Sequence, residues 1–511
     1  MKHTPDRHEA PSDVHDKGLS SGSVGLLGSV TLGVACVAPA YTLTVTLGLV
    51  AAAVGLKMPA IFIAGFVPMF LTAYAYRELN RAVPDCGTSF TWATKAFGPY
   101  VGWLCGWGAI LATVIVLSNL AGVAVSFTYL FIARLTGVES IADLATNKPV
   151  NIATCLVFIA AATYVGYRGI STTEKLQIVL VAFQMIVLAL FTVQAITGAV
   201  SGNDALAIPF SWDWFNPFSG LTLSAFVAGL IGSIFAFWGW DTCLTVNEES
   251  KDADRMPGRA ALVTVLTILL TYLFVAIGAM MYAGVGTEGL GLGNEETSAD
   301  VFAALAEPVM GAWLSLLLFL AVVVSSLSSL QSTFLPPART LLAMGEYKAV
   351  PARFAEVHPR FKIPSYATLV CGIGTAVFYT VMTLLSERVL SDTILTLGIM
   401  ICFYYGLTAF ACVWYFRHEL FTSAFNIVFK FAFPLLGGLM LAGVFLVSVI
   451  DSFDPENGSG ASIGGVGLVF VLAVGLLALG GVLMLVWRAR QPAFFRGETL
   501  HHDTAALIVP E

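Results

Sequence analysis

Charge is what this chain lacks. Asp, Glu, Lys and Arg make up 11% of its 511 residues, against roughly 25% in ordinary soluble domains. That is too little to cover the surface of a water-soluble chain, and it excludes secreted, nucleic-acid-binding and disordered readings. Paired cysteines are missing too. The eight stand singly at positions 36, 86, 105, 155, 243, 371, 402 and 412, without a CxxC pair and mostly inside apolar runs. Neither a disulfide framework nor a zinc site is indicated. The seven histidines, His3, His8, His15, His358, His418, His501 and His502, all fall in polar segments. This argues against haem or histidine-based chemistry at membrane depth, and no cofactor is expected. The first 20 residues hold three histidines, four acids and three basic residues without an apolar core. They read as a cytosolic tail and not as a signal peptide.

Apolar length is what the chain has. Hydrophobic residues make up 57% of it and the mean hydropathy is +0.84. A helix crosses a bilayer in about 20 residues. Twelve runs have that character: 22–47, 59–79, 98–133, 150–167, 174–198, 221–246, 258–284, 308–333, 364–385, 391–416, 428–450 and 464–487. The sequence therefore divides into a tail (1–21), a five-helix block (22–200), a second five-helix block (221–416), helices 11 and 12 (428–487) and a closing tail (488–511).

Lysines and arginines set the orientation. With the amino terminus inside, 21 of the 25 fall on the inner side, and only Lys57, Arg134, Lys148 and Arg388 fall outside. Outer loops are acidic instead, with Glu288, Glu295, Glu296, Asp300, Asp451, Asp454 and Glu456. Both termini are expected in the cytoplasm of a cell (plasma or inner) membrane.

Two helices read as broken. The first carries Gly25, Gly28 and Gly33 followed by Pro39, and the sixth carries Gly239 and Asp241 inside an apolar stretch. Each opens a block of five helices. Interruptions at matching positions of two halves point to an inverted-repeat transporter. Main chain freed from helical bonding must find a partner in hydrocarbon, and a polar substrate can be that partner. Glycine is also common in closely packed membrane helices, so the interruptions alone leave both readings open.

Longer motifs go further. Phe235-Ala-Phe-Trp-Gly-Trp-Asp241 is followed by Glu248-Glu-Ser-Lys-Asp-Ala-Asp-Arg-Met-Pro-Gly-Arg259. This resembles the amino acid–polyamine–organocation (APC) superfamily, in which an aromatic-rich break precedes an EExK(N/D)xxRxxPR stretch. The stretch from Gly87 to Trp107, and the serine-rich 325–332 with Ala338, Arg339, Met344 and 351–357, are similar to further parts of that pattern. The resemblance covers helices 1 to 10. It implies an all-α integral membrane fold of about 12 transmembrane helices, a LeuT-type five-plus-five inverted repeat with helices 1 and 6 broken. The activity it implies is secondary transport of amino acids or related amines.

In such transporters the unwound part of helix 1 binds the substrate carboxylate through backbone amides, and that of helix 6 receives the amine. The matching residues here are Thr31, Gly33, Val34, Ala35 and Cys36, and Phe237, Trp238, Gly239 and Asp241. The helix 1 stretch departs from the usual GxG core, leaving less room at two positions. Phe235 matches an aromatic gate, although packing between helices is the ordinary fate of a phenylalanine. Asp241 is read as the only carboxylate well inside an apolar helix. A charge there costs about 2.5–3.5 kcal/mol on insertion scales, so it should line a cavity, be protonated, or cap the broken helix. Gln184 is aligned to the helix 5 position where some relatives place a lysine, and Ser328 and Ser329 to the hydroxyls of a sodium site. Protons through Asp241 are the first choice of coupling, ahead of sodium or plain exchange. Glu248, Glu249, Lys251, Arg255, Arg259, Arg339 and Arg353 are either an inner salt-bridge gate or a solvated loop.

The expectation is a proton-coupled amino acid permease working by alternating access, with membrane lipid, a small solute and a coupling ion as its partners and no nucleic acid. A permease for a polyamine or nucleobase is the alternative. A membrane enzyme would need intramembrane nucleophiles or metal ligands, and a channel would favour repeated pore loops.

Overall fold

The computed structural model describes residues 17–19, 22–202, 206–386, 388–457 and 460–505. Most of the two expected tails' outer ends, 1–16 and 506–511, therefore lie outside the described residues, as do the side chains of 170–174.

The first block holds α1 (Leu26–Val37), α2 (Pro39–Val54), α3 (Met58–Ala82), α4 (Ser89–Phe97), α5 (Pro99–Thr136), α6 (Lys148–Arg168) and α7 (Ile170–Val200). The second holds α8 (Leu223–Ala236), α9 (Thr242–Thr245), α10 (Met256–Ala283), α11 (Glu295–Ala299), α12 (Val301–Ser332), α13 (Leu335–Glu346), α14 (Ser365–Leu385) and α15 (Val389–Tyr415). After them come α16 (Ala424–Asn426), a π-helical turn over Ile427–Ala432, α17 (Phe433–Asp451) and α18 (Leu468–Arg490). Among the described residues, ten apolar stretches are long enough to cross a membrane. The longest, Leu26–Ala82, contains the first two expected spans; the sixth is absent because its helix breaks after 14 residues. Twelve crossings follow.

The break in the first span is not where the sequence put it. Residues 31–36 are helical, and α1 runs on to Val37. The interruption falls at Ala38, which is left-handed (φ 54°, ψ 69°), because Pro39 has no N–H to donate and is instead suited to the first position of α2. Gly33 is a packing glycine: a Cβ there would lie 2.7 Å from the Cys243 sulfur and 2.8 Å from the Thr264 hydroxyl. The eighth span differs from expectation, beginning at Val301 and bending at Gly311 (φ 73°), while the third is the single long helix expected, with 38 residues.

The sixth span breaks over 237–241, between α8 and α9. Gly239 holds φ +105° there. A Cβ on Gly239 would stand 3.1 Å from the Cys36 sulfur and 3.2 Å from the Val37 nitrogen, so the two interruptions cross in contact. The freed main chain is largely satisfied by the protein. Ser329 donates to the Cys36 carbonyl at 2.7 Å, Thr42 to the Val37 carbonyl at 2.6 Å and Tyr272 to the Ala236 carbonyl at 2.7 Å.

The basic face of the bundle carries α4 and α13, while the acidic face is covered by α11, which sits on α2 so closely that a Cβ on Gly48 would lie 2.1 Å from the Ser298 carbonyl oxygen. Thr44 there donates to Asp300 at 2.6 Å.

Gly239→Ala tests the crossing. Strain at the positive φ and overpacking against Cys36 together should cost about 1–3 kcal/mol, read as a lowered unfolding midpoint of the purified protein. An unchanged midpoint would mean that the crossing has room to spare.

Candidate functional site

Asp241 stands at the head of α9, 7% exposed, where the sixth span resumes. Its side chain makes no capping bond to α9, and among the described residues none holds it in an ion pair. It lines a small cavity with Thr88, Ser89, Trp238, Thr340 and Tyr404, among others. The volume is about 10 Å³, room for no more than a water. This is a closed site.

Aromatic side chains surround the break. Trp238 donates to the Tyr404 hydroxyl at 2.5 Å. The rings of Tyr76, Trp240 and Tyr405 pack together with centroids 5.0–5.5 Å apart. Among the described residues the Trp240 indole N–H is buried without a partner, and the buried Tyr405 hydroxyl faces Asp241 and Tyr404 without a well-formed hydrogen bond. Such groups cost free energy unless something polar meets them. Phe237 turns the other way, its ring 5.9 Å from Phe66 and 5.3 Å from Tyr272. Phe235 is buried at the end of α8 and does not line the cavity beside Asp241. Thr31, Val34 and Ala35 are buried within helical α1, and Cys36 meets the Thr333 hydroxyl at 3.2 Å.

The structure bonds Gln177 to the eighth span. The Gln177 amide donates to the Ser328 carbonyl at 2.8 Å and accepts a close hydrogen bond from the Ser328 hydroxyl. Gln184, two turns further along α7, is fully buried with neither amide atom partnered among the described residues. Ser329 joins Cys36 as described and lies 3.3 Å from the Thr333 hydroxyl. These hydroxyls tie α12 to α1 and α7.

Buried ion pairs close the basic face. Arg339 forks onto Glu249, Nε to Oε2 at 2.9 Å and Nη2 to Oε1 at 2.8 Å, with both side chains 1% exposed. Lys17 bridges Asp85 and Glu248, each at 2.7 Å. The Tyr347 hydroxyl donates to Asp85 at 2.7 Å and the Cys86 N–H to Glu248 at 2.8 Å. Val24 then joins the main chain of Glu249 and Lys251 at 3.0 Å each. The chain's other end arrives at the same place: Thr499 donates to the Tyr347 carbonyl at 2.6 Å, and Lys95 to the His502 carbonyl at 3.1 Å. Of the seven charges read from the sequence, Glu248, Glu249 and Arg339 enter this seal. Arg255 pairs with its neighbour Asp254, and Arg353 lies over the Tyr366 ring. Lys17, Asp85 and Tyr347 went unread, since nothing local marks a tail lysine as a buried one.

Burial by itself would lower the Lys17 ammonium, but Asp85, Cys86 and Glu248 hold it well above the usual lysine range. Burial would likewise raise Asp85, yet Lys17 and its hydrogen bonds keep the carboxyl below the usual range. A depressed carboxylate contributes stability above its ordinary pKa and loses it as pH falls through the lowered value. A raised lysine loses its contribution only as pH rises through the higher one. The pair therefore stays charged from pH 5 to 9. Burial also pushes Glu249 up, against the pull of Arg339.

Asp241 is not the sole acid among the spans. Asp392 is fully buried at the start of α15, where Ser386 donates to it at 3.0 Å, and Glu78 is 3% exposed on α3 near Arg77 and Arg81. Both sit near helix ends beside protein partners, although one oxygen of each carboxylate is buried without a hydrogen bond.

Two broken spans crossing inside a twelve-span bundle, with a closed polar site beside them, define a membrane transporter. The fold is similar to a solved structure of MhsT in complex with L-phenylalanine, with a TM-score of 0.58 at 15% identity over 82% of this chain and 98% of that one. This is the LeuT-type architecture of two five-helix repeats. A model of the amino acid permease family matches residues 22–484, and the chain belongs to that family of the APC superfamily. Relatives include the methylthioribose transporter of Bacillus subtilis, 25% identical over 68% of this chain and 72% of its own length. The low-affinity putrescine importer PlaP of Escherichia coli is 21% identical over 83% and 87%. The chain is thus an integral membrane transporter and not an enzyme.

Two measurements probe the seal. Arg339→Met leaves Glu249 buried and uncompensated, which should cost about 3–5 kcal/mol of stability, while adding Glu249→Leu should restore most of it; a double variant no better than the single one would contradict this account. Lys17→Gln should raise the rate at which N-ethylmaleimide modifies Cys86 about tenfold or more, read on the Cys86 peptide. That rate in the unaltered protein, divided by the rate of a free cysteine peptide at the same pH to remove the thiol's own ionisation, should be flat from pH 5 to 9. No change on substitution would separate Lys17 from closure.

Proposed function

We propose that this protein is a secondary active transporter of an amino acid or a close amine, working by alternating access in the cell membrane with both termini in the cytoplasm. The basic face is then the inner one, and the seal of Lys17, Asp85, Glu248, Glu249 and Arg339 is the gate that opens inward.

The observation that carries this reading is the buried Asp241 carboxylate beside the crossing of the two breaks, which pairs with no described cation. A substrate ammonium or a proton neutralises it. The Trp240 N–H and Tyr405 hydroxyl offer a donor and a donor-acceptor nearby for the rest of a small polar solute. The start of α2, just beyond Ala38, presents the positive end of a half-helix to a carboxylate, one step later in the chain than residues 31–36. Thr31, Gly33, Val34, Ala35 and Cys36 then shape the site from behind, as do Phe235, Phe237, Trp238 and Gly239.

Protonation of Asp241 is the proposed coupling event. Sodium is the weaker alternative, because a cation between Ser328, Ser329 and α1 would have to displace the bonds those hydroxyls make to Gln177 and Cys36. Gln184 has no part in this scheme. An amine with more than one charge remains within reach of the site, since Tyr76, Trp240 and Tyr405 add aromatic faces that attract cations.

Asp241→Asn should abolish the pH dependence of uptake into proteoliposomes while the purified variant keeps its size-exclusion profile. Candidate amino acids, putrescine and nucleobases are first ranked by the thermal shift each gives the unaltered protein. Retained pH dependence in the variant would discard the proton role.

A further inference from the structure

Between α6 and α14, on the outside of the bundle, runs an apolar groove of about 510 Å³. Its walls include Leu156, Ala160 and Tyr164 from α6 and Leu369, Ile373 and Ala376 from α14. The floor exists because the two helices touch at Gly372, where a Cβ would stand 2.5 Å from the Thr163 hydroxyl. Beyond Ala376 the groove ends where the Tyr379 hydroxyl closes onto Asn151.

Length and charge say what fits. From Leu156 to Tyr167, the extent lined by α6, the rise of 1.5 Å per residue gives about 16 Å. That is about half of a 30 Å hydrocarbon core, the depth of one leaflet. The groove opens at the basic face beneath Arg168 and Arg360. Both guanidinium groups lie over Phe361, at 5.2 and 5.5 Å from its ring centre, and Arg168 also donates to the Tyr164 hydroxyl at 3.2 Å. Among the described residues no carboxylate pairs with either arginine, and exposed Lys362 follows next in the chain. An apolar slot one leaflet deep thus ends in two cations that no described carboxylate pairs with, at headgroup height.

We propose that this groove is a binding site for an anionic phospholipid of the leaflet on the basic face, one acyl chain lying between α6 and α14 and the phosphate meeting Arg168 and Arg360. The site stands apart from the Asp241 cavity and does not depend on the substrate reading. The orientation proposed above makes its leaflet the cytoplasmic one. Helices α6 and α14 are the fourth and ninth spans, so the lipid would sit across equivalent members of the two repeats and hold them together.

The test uses the full chain, purified in a mild detergent and read by native mass spectrometry with dioleoyl phosphatidylglycerol or dioleoyl phosphatidylcholine added. One phosphatidylglycerol should be retained per chain in preference to phosphatidylcholine by about thirtyfold, the worth of two juxtamembrane cations. Arg168→Gln with Arg360→Gln should erase the preference. Ala160→Trp should expel either lipid by filling the slot, and Ile373→Trp provides the same test from α14 if the first variant fails to fold. Equal retention of the two lipids by the unaltered chain would overturn the proposal, as would retention unaffected by the tryptophan. Inorganic phosphate alone should give no thermal shift at the concentrations where phosphatidylglycerol does; an equal shift would reduce the site to an anion contact and overturn the lipid.

Discussion

Main chain freed at membrane depth has to be bonded, and everything near the centre of this bundle is arranged around that requirement. Ala38 and Gly239 interrupt two spans that touch at the interruption. Ser329, Thr42 and Tyr272 each spend a hydroxyl on a carbonyl that an intact helix would have satisfied itself. These bonds also fix which spans are neighbours, since Ser329 comes from α12 and Tyr272 from α10. What the hydroxyls leave over, the Asp241 carboxylate and the buried polar edges of Trp240 and Tyr405, lies beside the crossing.

Closure toward the basic face works differently. It rests on charges withdrawn from water, which are costly singly and stable only as complete sets. Arg339 with Glu249, and Lys17 with Asp85 and Glu248, are such sets. The Lys17–Glu248 bond joins the tail before the first block to the second block, whereas Arg339 and Glu249 both belong to the second, so movement of one half against the other would break the Lys17 bridge and leave the Arg339 fork intact.

The membrane class and the number of spans were legible because twenty-residue apolar runs have few other uses, and the sixth span's break was legible because glycine and an acid stand together there. The first break was misplaced by several residues. Gly33 looks like a point of flexibility in sequence, but it is the small residue over which Cys243 and Thr264 pack, and Pro39 is what ends the helix. Gln184 was singled out by alignment and Gln177 was not, although it is Gln177 that reaches Ser328. The aromatic set around Asp241 was hidden in a different way. Tyr76 and Tyr405 lie far from residue 241 in sequence, and only folding brings them to Trp240. Lys17 belongs to the same category, a tail residue whose burial is decided entirely by partners elsewhere.

Tyr347 bonds Asp85 through its hydroxyl and receives Thr499 at its carbonyl, so one residue is braced by the turn before α4 and by the last described stretch. During synthesis, every span has emerged from the ribosome before residue 499 does. The closure on the basic face is therefore complete only once residue 499 has been made, and a polypeptide cut short after α18 would possess all twelve crossings yet lack the brace behind its own latch.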